Sequence, residues 1–359
     1  MVLKPLPVTL MTIDSSRGMR PCWISLRVTA TVVPPAGSVK MPSVRASSLM
    51  PSTISSSVTL SPHPPEEQLR LAERVEALGF DSLWCGDHIV FNIPLYESLT
   101  LLSFYAARTR RIRVGTCVYL LALRHPAAVA KSTSTLDALS GGRLIFGVGV
   151  GGEIPKEFEA VGVPRNERGA RVNEGIEAVR ALWTQTPASF SGRFFKFDGV
   201  NIDPKPFQPG GPPIWIGGRS DAALQRAGRL GDGWVSYVVT AERYRQSVEK
   251  IRAAADAAGR PLDGFETAHL TFITIGKDYE TAKAAWVKRL STRYKQDFGP
   301  LADKYGFIGT PAQCIEQIER FSEAGCRYFV LNAICEVPDE AEQLERLASE
   351  ILPHFRKKA

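Results

Sequence analysis

The sequence predicts an α/β fold of the (β/α)8 type, a TIM barrel with insertions. Short apolar segments alternate with amphipathic helical segments along most of the 359 residues. Eight strands can be counted in this alternation, as a (β/α)8 barrel requires. No long linker interrupts the series, so we expect one domain from residue 44 to residue 359. A doubly wound open sheet is the alternative that the same alternation allows.

The strands are recognised as short apolar runs between turn residues, and the third one is rich in β-branched residues. We predict strands at residues 44–50, 81–84, 112–119, 143–148, 213–216, 233–237, 267–275 and 327–331. A Ser/Pro-rich loop at 52–65 is expected after the first strand. Aromatic residues around Gly192 (190–197) predict a hairpin outside the barrel.

The helices between the strands carry apolar residues on one face. In the first helix Leu71, Val75 and Leu78 recur at helical spacing, and Gly79 marks the end. We predict helices at residues 66–78, 97–108, 126–139, 165–183, 221–230, 242–258, 280–294, 311–324 and 340–352.

Residues 1–43 differ from the rest in composition, because proline is frequent and acidic residues are nearly absent. We interpret them as a disordered tail or as the product of a start codon assigned too far upstream, with Met41 as the better start. A targeting peptide is the alternative, since the segment has scattered Arg and Ser.

Charge and cysteine content exclude several classes of function. The net charge is +7, but residues 1–62 hold six basic residues and one acid, so the remainder has 38 basic and 36 acidic residues. A nucleic-acid surface is therefore not expected, and no apolar run is long enough to span a membrane. The six cysteines form no metal-ligand motif, so we expect no metal site and a reducing, cytoplasmic location.

The most informative segment is the glycine loop that follows the fourth strand. Gly147, Gly149 and Gly152 match a dinucleotide fingerprint, but Pro155 follows where a helix should open. We instead expect Gly149 and Gly151 to let a ligand approach the backbone, and Glu153 to face the pocket. A nicotinamide site, a turn without ligand and a solvated Glu153 are the alternatives.

Three other loops after strands carry candidate chemistry. Asp87 and His88 follow the second strand, where the carboxylate could fix the imidazole tautomer or merely cap a loop. Arg124 follows the third strand and could meet an anion or cap the next helix. The residues Gly217, Gly218, Arg219 and Ser220 open a helix after the fifth strand, which predicts a phosphate cradle. Ser220 as a simple N-cap is the alternative there.

Several motifs in order resemble those of the bacterial luciferase-like flavin and deazaflavin oxidoreductases, over about residues 44–355. They are ALGFDSLW at 77–84, GDH at 86–88, RHP at 124–126, LD-x-LS-x-GR at 136–143 with GVG at 147–149, P-x-WIGG at 213–218 and AG-x3-DGW at 227–234.

The resemblance implies a barrel that holds coenzyme F-420, a deazaflavin, or else FMN across the C-terminal ends of the strands. It places the cofactor phosphate at Gly217–Ser220 and a non-proline cis peptide near Cys117–Val118, against the ring. It also makes His88 the residue that faces the reactive ring, with Asp87 assisting and Glu153 as a second acid or base.

The function expected from the resemblance is hydride transfer between F-420 and an organic substrate. A phosphorylated sugar is not expected, because Phe91-Asn92 and Val238-Val239 stand where relatives that use one have Trp and Lys. The alternatives are an FMNH2-dependent monooxygenase served by a flavin reductase and a non-catalytic flavin-binding protein, which a solvent-facing Glu153 would favour. A homodimer is the expected assembly.

Overall fold

The computed structural model describes residues 55–356, which form a closed barrel of eight parallel strands. The strands are β1 (Ser55–Thr59), β2 (Ser82–Cys85), β3 (Arg113–Thr116), β4 (Leu144–Gly149), β5 (Ile214–Gly217), β6 (Gly233–Tyr237), β7 (Glu266–Ile275) and β8 (Tyr328–Ala333). Each strand pairs with the next one in this order, and β8 pairs with β1. The predicted barrel is confirmed, and the open sheet is wrong.

Helices surround the strands and bury their apolar faces against them. The helices that follow the successive strands are α1 (Pro65–Ala77), α2 (Ser98–Arg108), α3 (Pro126–Ser140), α4 (Arg168–Thr184), α5 (Asp221–Leu230), α6 (Ala241–Ala257), α7 (Pro311–Glu323) and α8 (Glu340–Arg346). After α8 the chain continues through a π-helical turn (Leu347–Ile351) into the helix Leu352–Arg356.

Two tryptophans fill the barrel interior. The rings of Trp84 and Trp215 lie 5.2 Å apart, and Tyr328 packs edge-on against Trp215 at 4.9 Å. A Cβ on Gly115 or on Gly233 would lie 2.6 Å from these indole rings, so both strands need glycine there. The interior is therefore packed with side chains, as in other barrels of this type, and ligands are left to the mouth.

The prediction for the first strand is wrong in position. The predicted strand 44–50 lies outside the described residues, as does the extension 1–43, while β1 occupies part of the predicted Ser/Pro-rich loop. Serines are compatible with a barrel strand here because the Ser57 and Ser82 hydroxyls hydrogen-bond each other at 2.7 Å. Partnered hydroxyls make a polar run suitable for burial, which composition alone does not reveal.

A large segment between β7 and β8 was only partly predicted. It contains the helices Tyr279–Tyr294 and Gly299–Tyr305 and the strand Phe307–Gly309, which extends the sheet beside β7. The segment has its own apolar core, separate from the main one. That core consists of Phe272, Ala282, Trp286, Leu290, Phe298, Ala302, Ile308 and Ile334. The second predicted excursion, the hairpin, is confirmed as Ala188–Ser191 paired with Lys196–Val200.

Other expectations about the fold are confirmed locally. His269, predicted as a packed residue, is 1 % exposed and hydrogen-bonds Ser236 at 2.8 Å. Asp232, predicted as structural, accepts hydrogen bonds from Arg180 and Arg260. Along residues 55–356, none of the helices combines the length and the apolar character that crossing a bilayer would demand.

The buried His269 is expected to make stability depend on pH. Burial lowers the pKa of its imidazole from 6.5 to about 3. Between these two pKa values the imidazole is protonated in the unfolded chain and neutral in the folded chain. The free energy of unfolding should therefore fall as the pH drops below about 6.5, by up to about 1.4 kcal/mol per pH unit. His269→Phe, which keeps a ring against Phe321, should flatten this slope in urea unfolding between about pH 6 and pH 4.

The matched control is His354→Gln, which removes a half-exposed imidazole outside the barrel. The part of the slope that is due to the buried His269 should persist in this variant. Equal slopes for all three proteins would show that His269 does not cause the acid sensitivity.

Candidate active site

The centre of the barrel mouth is formed by the peptide that follows β3. The Cys117–Val118 bond is cis, as the resemblance implied, and it separates β3 from a two-residue strand, Tyr119–Leu120, which pairs with β4. The Val118 side chain lies between the ends of β4 and β5. A Cβ on Gly217 would lie 2.5 Å from Val118 Cγ1, and one on Gly149 would clash with Val118 Cγ2.

Two glycines of β4 and one glycine of the loop after it are explained by packing and by a turn, which are more specific reasons than ligand access. Gly149 makes room for Val118, and Gly147 makes room for the carbonyl of Thr116, whose hydroxyl donates to the Gly147 carbonyl at 2.7 Å. Gly151 has a φ of +63°, which favours glycine in a left-handed turn. A dinucleotide fingerprint requires a helix that begins at the third glycine, Gly152. The helix after this loop begins only at Pro155 and ends at Ala160, so the requirement is not met.

The carboxylate that holds His88 is Glu157, on this short helix. Both carboxylate oxygens of Glu157 lie 3.2 Å from His88 Nδ1, and Glu157 Oε1 also accepts from the backbone N–H of Ile89 at 2.7 Å. Glu157 is fully buried, while 17 % of the His88 side chain is exposed. With Nδ1 engaged in this way, Nε2 is the ring nitrogen left for a ligand.

Asp87, which was expected to assist His88, has its carboxylate hydrogen-bonded to other residues. Its buried carboxylate accepts two hydrogen bonds from the Arg124 guanidinium, at 2.7 and 2.8 Å, one from Leu120 N at 2.8 Å and one from Ser98 Oγ at 3.1 Å. These bonds occupy the carboxylate and tie the loop after β2 to the segment after β3. Arg124 thus meets an anion, as one of the two interpretations held, and that anion belongs to the protein.

Glu153 lies at the rim of the mouth. Its side chain is exposed, and Oε1 accepts a hydrogen bond from the Tyr237 hydroxyl at 2.9 Å. Burial, reinforced by Glu153, raises the pKa of Tyr237, so this phenol remains a donor at neutral pH. The guanidinium of Arg219 lies over the Tyr237 ring at 5.0 Å. Glu153 therefore joins the loop after β4 to the end of β6.

The loop after β5 has the features of an anion cradle. Gly218 has a φ of +127°, and the exposed Ser220 caps α5 by accepting from Ala223 N at 3.3 Å. Arg219 donates to the carbonyl of Val238 at 2.8 Å and makes no ion pair within the described residues. Capping by Ser220 and anion binding are compatible, because the first turn of a helix has more free N–H groups than one side chain can satisfy.

Aromatic rings form the wall of the mouth beside His88. Phe91 stacks on the His88 ring at 4.2 Å, and Tyr294 packs edge-on against Phe91 at 5.8 Å. Burial raises the pKa of the Cys117 thiol to about 12, so this cysteine stays protonated and is no nucleophile at neutral pH. The mouth thus offers an imidazole–carboxylate pair beside an apolar wall.

Comparison with known proteins identifies the family. The family model for luciferase-like monooxygenases matches residues 44–328. This chain belongs to that family. It is therefore an enzyme of the oxidoreductase class, and the interpretation as a non-catalytic flavin-binding protein is wrong.

Two curated relatives match over most of their length. The chain is 28 % identical to 5,10-methylenetetrahydromethanopterin reductase of Archaeoglobus fulgidus, over 78 % of this chain and 93 % of the relative. It is also 28 % identical to the F420-dependent glucose-6-phosphate dehydrogenase of Nakamurella multipartita, over 81 % of this chain and 93 % of the relative.

Solved structures give the same fold. Monooxygenase RslO1 from Streptomyces bottropensis superposes with a TM-score of 0.74 at 26 % identity, covering 84 % of this chain and all of that one. An F420-dependent secondary alcohol dehydrogenase superposes with a TM-score of 0.73 at 23 % identity, covering 82 % and 98 %. At that identity the second likeness establishes the fold alone.

Sequence reasoning missed Glu157, the residue that holds His88. A signal was present, because Glu157 follows Glu153 by four residues and Pro155 is suited to the first turn of a helix. A helix starting there turns its first-turn carboxylate inward, whereas the loop residue Glu153 stays at the rim. Tyr237 and Tyr294 were also missed, because no local pattern marks an aromatic residue as part of a mouth.

The packing of Val118 can be tested by a double-mutant cycle. Gly217→Ala should lower the free energy of unfolding by about 1–3 kcal/mol, because the new methyl group overlaps Val118. Adding Val118→Ala should recover most of that loss, since it removes the overlapping methyls. Chemical unfolding of the four proteins measures the coupling.

Gly86→Ala is the matched control at the same mouth, because a Cβ there would meet only the Cys117 carbonyl oxygen at 3.9 Å. Gly86→Ala should lower the free energy of unfolding only slightly. Similar losses for Gly86→Ala and Gly217→Ala, or no recovery in the double variant, would contradict the steric explanation.

Proposed function

We propose that this enzyme transfers hydride between coenzyme F-420 and an organic substrate, with His88 and Glu157 managing the accompanying proton. The observation that carries the proposal is the buried Glu157 carboxylate bound to His88 Nδ1. Such a pair holds the imidazole in one orientation. The two curated relatives, of which one is named for F420, support the choice of cofactor.

The residues at the mouth fit a ring that carries a phosphate. The phosphate would be held by the backbone of Gly218, Arg219 and Ser220 at the start of α5, with the Arg219 guanidinium beside it. The ring would rest against the Cys117–Val118 peptide, which Gly149 and Gly217 hold in place by leaving room for the Val118 side chain. When bound, the deazaflavin supplies a two-electron hydride carrier.

His88 is the residue proposed to touch the reacting atoms. Its Nε2 would donate a proton to, or accept one from, the substrate oxygen or nitrogen whose charge changes on hydride transfer. Glu157, in contact with His88 Nδ1, would stabilise the imidazolium while the proton resides there. Asp87 would act only on position, because Arg124 and two further donors occupy its carboxylate. Glu153 would fix the position of the loop at the rim of the mouth by its hydrogen bond with Tyr237.

The apolar wall constrains the substrate class. Phe91 and Tyr294 flank His88, so the substrate portion nearest the hydride should be an apolar or aromatic carbon framework that bears one polar reacting atom. A screen of alcohols, ketones and imines with the coenzyme identifies the molecule.

The second candidate is an FMNH2-dependent monooxygenase served by a separate reductase. The observation in its favour is the likeness to a monooxygenase structure at 26 % identity over 84 % of the chain. Fluorescence titration with F-420 and with FMN separates the two candidates. Binding of FMN alone, with oxygen consumed when FMNH2 is supplied, would overturn the deazaflavin proposal.

Removing the proton-handling pair should lower turnover while leaving the coenzyme bound. His88→Ala should reduce kcat for the substrate found in the screen by about 10²–10⁴-fold. Glu157→Gln keeps the acceptor for Ile89 N but removes the charge beside His88, so it should lower kcat and displace the pH profile. Stopped-flow absorbance of the coenzyme measures the rates, and fluorescence quenching measures its affinity.

Glu159→Gln is the matched control, because Glu159 lies on the same helix and its carboxylate faces Lys156 at 2.6 Å, on the exposed side. Its kinetics should equal those of the natural enzyme. Unchanged kcat and pH profile in Glu157→Gln would contradict a role of this carboxylate in proton transfer.

A further inference from the structure

Two arginines beside the barrel mouth carry charge that the proposed hydride chemistry does not use. Arg289 and Arg293 lie four residues apart on the helix Tyr279–Tyr294, in the segment between β7 and β8. The Nε atom of each guanidinium is buried and has no hydrogen-bond partner within residues 55–356. Buried polar groups in folded proteins are normally paired, because burial removes the water that would otherwise solvate them. Two unpaired donors on neighbouring turns therefore indicate a ligand.

Arg293 has no counter-charge in contact with it. Among the described residues it forms no hydrogen bond and no ion pair. Burial lowers the pKa of its guanidinium, and the like charge of Arg289 adds to this effect. Arginine nevertheless keeps its proton in proteins. A positive charge therefore lies partly buried at this position without a direct partner.

The carboxylate that acts on Arg293 electrostatically is that of Glu340, and it is engaged elsewhere. Glu340 Oε1 accepts a hydrogen bond from the backbone N–H of Ser61 at 2.8 Å, and Oε2 contacts His63 Nε2 at 2.5 Å. The side chains of Glu340 and His63 are both buried. Glu340 therefore connects α8 to the segment after β1, and it forms no ion pair with Arg293.

Arg289 shares its acidic neighbour with a lysine. Glu336 Oε1 lies 3.0 Å from Lys288 Nζ, whereas Glu336 Oε2 lies 3.8 Å from Arg289 Nη1. The side chain of Glu336 is exposed, so water and Lys288 reduce its effect on Arg289. Two arginines one helical turn apart repel each other, and an anion bound between them relieves that repulsion.

The position of the two arginines indicates which molecule brings the anion. Arg293 interacts electrostatically with Cys335, which follows the end of β8 at the mouth. Tyr294, the next residue along the chain, packs edge-on against Phe91, which stacks on His88. The proposed phosphate loop follows β5, and β6 and β7 lie between it and β8. An anion at the arginines is therefore distinct from the cofactor phosphate and lies behind the aromatic wall beside His88.

We propose that Arg289 and Arg293 bind a carboxylate of the substrate, which is then an organic acid whose reacting carbon lies away from that carboxylate. A planar guanidinium matches a carboxylate through two parallel hydrogen bonds. Glu336 and Glu340 repel a dianion more than a monoanion, so a carboxylate is favoured over a phosphate. The assignment of the anion to the substrate rests on the proposed function, which places the reacting atoms beside His88.

The first test compares methyl ketones that end in a carboxylate, at increasing chain length, with the methyl amides of the same acids. Each ketone is reduced to its alcohol: the carbonyl carbon takes a hydride from reduced F-420, which becomes oxidised, and the oxygen takes a proton. The natural enzyme should have a higher kcat/KM for at least one acid than for its amide. Arg293→Met, which keeps the aliphatic stem, should lower this ratio about ten- to hundredfold, the range of a hydrogen bond to a charged group.

Lys277→Gln is the matched control, because it removes one exposed cation from the same segment. It should leave the ratio of the two kcat/KM values unchanged, whereas Arg289→Gln should lower that ratio as Arg293→Met does. Equal kcat/KM values for acids and amides throughout the series, or an unchanged ratio in Arg293→Met, would overturn the inference while leaving the proposed hydride transfer in place.

The melting temperature tests anion binding without turnover. Benzoate is titrated into the protein without coenzyme, and sodium chloride keeps the ionic strength constant. The melting temperature of the natural protein should rise, because a ligand of the folded state stabilises it, and Arg293→Met should lose this response. The response should persist in protein saturated with F-420. Its disappearance there would assign the site to the coenzyme and overturn the proposal.

The melting temperature without benzoate separates a ligand site from a structural role. Because Arg293 has no partner in the described part of the chain, Arg293→Met should melt at the same temperature as the natural protein or higher. A fall of several degrees would show that the protein itself holds this charge, and would overturn the inference. If no ketone is reduced but the benzoate response depends on Arg293, the result supports the anion site and overturns the proposed function.

Discussion

One steric constraint organises the mouth of this barrel: the side chain of Val118 occupies space that two neighbouring strands leave free. Gly149 ends β4 and Gly217 ends β5, and a methyl group on either would overlap Val118. Because close-packed interiors tolerate little added volume, these three positions depend on one another. Their packing sets where β3, β4 and β5 end, and so where the surrounding loops begin and what they present.

The carboxylates of Asp87 and Glu157 have different roles at this mouth. The Asp87 carboxylate accepts hydrogen bonds from Arg124, a backbone N–H and a hydroxyl, and so connects the segments that follow the second and third strands. Glu157 contacts His88 Nδ1 with both carboxylate oxygens. A buried carboxylate that is fully paired with Arg stabilises geometry, while one that faces an imidazole can share a proton. Asp87 is the sequence neighbour of His88, but the carboxylate in contact with the imidazole is that of Glu157.

Much of the fold was predictable because its signals are local. Strand and helix periodicity, glycine at turns and the order of motifs located seven of the eight barrel strands and the cis peptide beside Val118. β1 was misplaced because its serines are partnered across strands, a fact that composition does not carry. Glu157 was missed for a related reason: its meaning comes from the fold bringing it to His88, 69 residues earlier in the chain. Local patterns predict elements, and sites formed between elements need the structure.

The segment between β7 and β8 has a consequence for how such enzymes diversify. It maintains its own apolar core around Trp286 and Phe298, and Tyr294, packed against Phe298, contacts the residues beside His88. Most residues of this core lie in the segment itself, while Phe272 of β7 and Ile334 after β8 connect it to the barrel. Substitutions in the part of the segment that forms this wall can therefore reshape the mouth beside His88 without altering the contact between His88 and Glu157.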